Sequence, residues 1–73
     1  MIMEISLDLK ADAVYIKFQE GRFAKNKKID ADTIIDLDAK GRLLGIGILN
    51  VTKKVPVKNL SGVNVKLPLS RTG

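Results

Sequence analysis

Residues 33 to 49 read TIIDLDAKGRLLGIGIL, two apolar runs on either side of a polar break that holds Asp36, Asp38 and Gly41. The first run is rich in β-branched residues and the second alternates around two glycines, a composition that favours strands over a helix. The stretch therefore reads as a β-hairpin. Gly41 is the one loop residue free to take a positive φ without steric cost, which predicts a type I turn over Asp38 to Lys40 closed by a bulge at Gly41. In the second strand Leu44, Ile46 and Ile48 fall on one face and Leu43, Gly45, Gly47 and Leu49 on the other. One face is bulky and the other nearly flat. Glycine inside a strand marks a bulge or a close approach, so Gly45 and Gly47 are read either as a seat for an aromatic ring such as Tyr15 or as part of a subunit contact.

The segments before this hairpin need it as a partner. Ile2 to Leu9 alternates, with Met3, Ile5, Leu7 and Leu9 on one side, and reads as a half-buried strand. Asp8 to Asp12 is a turn, and Ala13 to Phe18 is a second strand with Val14, Ile16 and Phe18 inward and Ala13, Tyr15 and Lys17 outward. Phe23 to Asp30 continues the pattern in a form carrying Lys25, Lys27 and Lys28, which suits a sheet edge protected by lysines. After Asn50 the sequence leaves helix and strand both open for Val51 to Val55, and Pro56 stops any helix. Lys58 to Gly62 is a loop or a single helical turn. The alternation of Val63, Val65, Leu67 and Leu69 predicts a last strand, placed at an edge by Pro68. The expected fold is mainly β, or β-rich α+β. It is an antiparallel, meander-like sheet of five to six short strands, with a central hairpin at 33–49 and at most one short helix near 51–61. Residues 1–73 form a single small domain.

A chain of 73 residues is near the size at which folding buries about 60% of the unfolded surface, so added stabilisation is expected. Neither cysteine nor histidine is present, which removes disulfides and the usual zinc ligands. Oligomerisation remains, and a homodimer or a complex with a small protein partner is expected. No cofactor is implied. The longest apolar run, Leu43 to Leu49, is far shorter than a membrane helix, and the N-terminus lacks the pattern of a signal peptide. A cytoplasmic protein without membrane contact is the expectation. The net charge of +5 sits in the last third, where Lys53, Lys54, Lys58, Lys66 and Arg71 occur with no acid.

Two motifs resemble a family of small, uncharacterised prokaryotic proteins, the domain-of-unknown-function family numbered 2283. They are Asp8-x-x-x-Asp12-Ala13-x-Tyr15-Ile16 and Asp36-x-Asp38-x-x-Gly41-Arg42-x-x-Gly45-Ile46-x-Ile48-Leu49. The resemblance covers about residues 3 to 69. It brings no assigned activity, and it implies for some members an antitoxin-like partnership with small ribonuclease toxins. This chain departs from the pattern at Gly47, where the family often has Glu.

Three functions stay open on the residues. A dimerising or partner-binding module fits the small core, the flat glycine face and the apolar terminal strand. Nucleic-acid binding would use the basic patch of Lys53, Lys54, Lys58, Lys66 and Arg71, though the chain has three aromatics and no stacking motif. A small hydrolase would need Asp8, Asp12, Asp36 and Asp38 to converge at one end of the sheet, since no histidine base, cysteine nucleophile or nucleophile elbow is available. Asp36-x-Asp38-x-Lys40-Gly41 also begins like a calcium loop, but a lysine stands at its fifth position and Gly47 at its twelfth, where an oxygen ligand and a bidentate Glu belong. No catalytic, cofactor or metal residue is assigned.

Overall fold

The computed structural model describes residues 3–66. The alternating segments form strands β1 (Glu4–Asp8), β2 (Ala13–Lys17), β3 (Lys25–Lys28), β4 (Thr33–Leu37) and β5 (Leu43–Leu49). They make one antiparallel sheet in the order β1-β2-β5-β4-β3. The mainly β architecture and the central hairpin are as the sequence implies. The meander holds within β3-β4-β5 and within the β1-β2 hairpin, but β2 and β3 are not neighbours. Residues 18–24 instead cross the ends of β5 and β4. Phe18 N–H donates to the Leu44 carbonyl at 2.8 Å and Ala24 N–H to the Leu37 carbonyl at 2.9 Å, so the crossover is tied to β5 at its start and to β4 at its end.

The hairpin turn has the expected chemistry. Gly41 sits at φ 82°, its N–H donates to the Asp38 carbonyl at 3.0 Å, and Asp38 N–H donates to the Arg42 carbonyl at 3.0 Å. Beyond the turn the register slips: Asp36 faces Gly45 while Leu37 faces Leu43, so Leu44 is the extra residue of a bulge. Leu44 is buried beneath the crossover, where a Cβ on Gly21 would stand 2.5 Å from Leu44 Cδ2. It lines the same hollow as Tyr15 and Asp36, so the bulge rather than simple alternation decides its position.

Pairing sets two unlike faces. On one, Ile5, Ile16, Ile46, Ile35 and Lys27 form a row across all five strands, with Leu7, Val14, Ile48 and Thr33 beside it. On the other, Ser6, Tyr15, Gly47, Ile34 and Lys28 form one row and Glu4, Lys17, Gly45, Asp36 and Asn26 the next. Val14, Leu44 and Val51 are the buried apolar residues among those described.

Asn50, at φ 54°, turns the chain out of β5 and back over the isoleucine face. Two short 3-10 turns follow, Val51–Lys53 and Val57–Ser61. Asp12 fixes the first of them: its carbonyl accepts the Val51 N–H at 3.1 Å and its carboxylate the Thr52 N–H at 2.9 Å. Residues 55–63 then lie over β1, β2 and β5. A hollow of about 240 Å³ remains between them, with Ile5, Ile16 and Ile48 on the sheet side and Val55, Leu60 and Val63 on the other. The last strand expected from residue 63 is not formed over residues 62–66. Val63 borders the hollow over the sheet face while 64% exposed, and this segment does not pair with an edge. Leu67 and Leu69 lie outside the described residues.

Gly41→Val forces a β-branched side chain into the left-handed region and is expected to cost about 2 kcal/mol. The check is the urea midpoint, which should fall at unchanged slope; an unchanged midpoint would refute the turn assignment.

Candidate functional site

The family-motif residues occupy three places on the sheet. Asp8, Asp12 and Ala13 stand at the β1-β2 turn, Tyr15, Asp36 and Gly45 meet on the flat face, and Asp38 and Gly41 form the β4-β5 turn. Ala13 pairs with Leu49 and Lys17 with Gly45, so the two turns lie at opposite ends of β2, about 13 Å apart along the strand. The four carboxylates required by the hydrolase reading therefore do not converge. Among the described residues no group of three or more acidic side chains is placed to hold a metal ion.

Each motif carboxylate has a backbone or side-chain partner. Asp8 accepts the N–H groups of Lys10 and Ala11 at 3.0 and 3.1 Å and so shapes the first turn. Asp12, itself at φ 52°, holds Thr52, and that backbone hydrogen bond is the main reason its carboxyl lies below the usual carboxylate range. Asp38 is 5% exposed. Its Oδ1 accepts the N–H groups of Lys40 and Arg42 at 2.9 and 2.8 Å, and its Oδ2 pairs with Arg42 Nε at 2.7 Å. The backbone bond from Arg42 leads in holding the Asp38 carboxyl low, against the opposing effect of its burial.

Tyr15 links the three central strands. Its strand partner is Gly47, its ring lies along Gly47 and Gly45, and its hydroxyl donates to Asp36 Oδ2 at 2.8 Å on β4. A Cβ on Gly45 would fall on the Tyr15 hydroxyl and within 2.8 Å of the Ile16 carbonyl, whereas one on Gly47 would meet the ring at 3.7 Å, an ordinary contact. Of the two readings of the glycines, the aromatic seat is formed. Burial, and then the Asp36 carboxylate, push the Tyr15 phenol above its ordinary value of 10.0. The adjoining hollow, about 180 Å³, also takes in Lys17, Glu20 and Phe23.

The basic C-terminal third is partly engaged. Lys54 Nζ pairs with Asp32 Oδ2 at 2.8 Å, and Asp32 also accepts Asn50 Nδ2 at 3.0 Å. The two contacts lower the Asp32 carboxyl, Lys54 contributing most, and the pair raises the Lys54 ammonium. Lys53, Lys58 and Lys66 are exposed, and Arg71 lies outside the described residues. Sequence reading missed this cluster around Asp32. It also missed the tie from Asp12 to Thr52, because a contact across forty positions leaves no local pattern. Asn50 alone carried a signal, since Asn tolerates the left-handed conformation found there.

A family model described as Protein of unknown function (DUF2283) matches residues 4–51, well over half of the chain, and the chain belongs to that family. The match begins at the first residue of β1 and ends at Val51, so the segment from Thr52 onward lies beyond it. No curated protein and no solved structure matches the chain.

Gly45→Ala is expected to lose about 1–3 kcal/mol, because the Ile16 backbone cannot yield. Gly47→Ala should stay within about 0.5 kcal/mol. Urea unfolding of the pair checks this, and equal losses would contradict the seat.

The chain has one tyrosine and no tryptophan, so phenolate absorbance reads Tyr15 directly. Its titration midpoint should lie higher in the folded protein than in urea. Because the folded value is raised, the stability linked to neutral Tyr15 is present below pH of about 10 and lost as pH rises through the folded value. Tyr15→Phe should remove that alkaline loss.

Proposed function

We propose that this chain is a protein-interaction module, which acts by offering apolar surface to a second copy of itself or to a small protein partner. The observation that carries this reading is the exposure of its apolar side chains. β1 is an edge strand with all five residues exposed, and Ile5 and Leu7 remain 42% and 39% exposed on the isoleucine face. Full burial of such a side chain is worth about 1.5–3 kcal/mol, so each leaves about 1 kcal/mol for a partner to recover. Among the described residues no strand pairs with the outer side of β1, which gives its backbone a side able to pair with another strand.

The reading is not enzymatic. The carboxylates named by the motif are used in turns and in the Tyr15 contact, and their two ends are separated by the length of β2. The nucleic-acid reading draws less support, since Lys54 of the basic third is engaged with Asp32 while Lys53, Lys58 and Lys66 stay exposed. No helix among the described residues is long and apolar enough to cross a membrane.

Sedimentation across a range of concentrations tests self-association. The average mass should rise from 8.0 kDa towards twice that value, and Leu7→Lys on β1 should return it to the monomer. A mass of 8.0 kDa up to high micromolar concentration would rule out the homodimer.

A further inference from the structure

The isoleucine face is covered unequally. Residues 55–63 lie over its β1, β2 and β5 side, while Ile35 and Leu37 of β4, both half-buried, do not line the hollow beneath that cover. Lys25 pairs with Leu37 and Lys27 with Ile35, which puts both lysines on this face at its β3 edge. Both are exposed and have no ion pair with a described residue. The strands contribute no carboxylate here, because Glu4, Asp8 and Asp36 all fall on the opposite face. The cover, residues 55–63, carries Lys58 and no acid.

Resting on the interaction reading above, we infer that the uncovered side of this face binds an acidic, aliphatic polypeptide segment of another protein. Its apolar side chains would lie against Ile35, Leu37 and Ile46, and its carboxylates would meet Lys25 and Lys27. Two observations select this occupant. The face already accepts aliphatic side chains from its own chain, since Val55 and Leu60 line the hollow above it, Leu60 from the short 3-10 turn. The surface beside that cover is its continuation, but with a cationic rim in place of a neutral one. A second copy packed face to face on this side would bring no strand carboxylate to Lys25 and Lys27, whereas an acidic segment does. The row itself is aliphatic, so it offers bases nothing to stack on.

Fluorescence anisotropy of the full chain with short labelled peptides tests the inference. One peptide alternates valine with glutamate and the other alternates valine with lysine. The glutamate peptide should bind and the lysine peptide should not. The double variant Lys25→Glu, Lys27→Glu changes exposed edge positions and should keep its thermal unfolding midpoint while weakening the glutamate peptide about tenfold. Equal binding of both peptides, or no binding of either, overturns the inference. So does lysine-dependent binding of an oligonucleotide or of phosphatidylglycerol vesicles when the glutamate peptide is ignored. A chain that self-associates in sedimentation yet ignores the glutamate peptide refutes this inference and leaves the interaction reading standing.

Discussion

Tyr15 is the contact on which the sheet depends. A five-residue strand cannot hold a sheet by hydrogen bonds alone, and β2 must stay in register with β5, a strand far along the chain. Gly47 and Gly45 leave the backbone of β5 bare, and the phenol ring lies across that gap to reach Asp36 on β4. One side chain thus touches three neighbouring strands. A slip of one residue would turn the ring to the other face, so the contact also specifies register. The bulge at Leu44 belongs to the same arrangement: it lets the hairpin close on Gly41 while Gly45 still faces Asp36.

This internal tie explains why the two faces differ in what they can offer. On the Tyr15 face the phenol and Asp36 pair with each other, and the glycines are filled from within. The isoleucine face is aliphatic across the strands and is covered in part by the segment after Val51. That segment is gripped by Asp12 at its start, but from Pro56 onward its described hydrogen bonds are local, as in Asn59 N–H to the Pro56 carbonyl. The family match ends at the same boundary. The family match thus takes in β1 to β5 and Val51 and leaves out the cover that follows.

Much of the sheet was legible in the sequence, for reasons that are local. β4 is a β-branched run bounded by polar turns, and the reading of Thr33 to Leu37 matches the strand residue for residue. Asp38 to Gly41 specified its turn because a single glycine was available for positive φ. The lysines of β3 marked an edge, which the strand order bears out. What stayed hidden depends on distant residues. Nothing local shows that Gly21 must be small to pass Leu44, or that Asp12 will hold Thr52. The alternation of Val63 and Val65 suggested a strand because apolar spacing does not distinguish pairing with an edge from lying across a face. At the candidate site, the aromatic seat was one of two readings of the glycines, while the division of the aspartates between two ends followed only from the register.

The ring of Tyr15 can be located directly in solution. Proton NMR should show contacts from its aromatic protons to the α-protons of Gly45 and Gly47, with those α-protons shifted upfield by the ring and restored in Tyr15→Leu. Glycine α-protons at unstructured values, without contacts to the ring, would contradict the account.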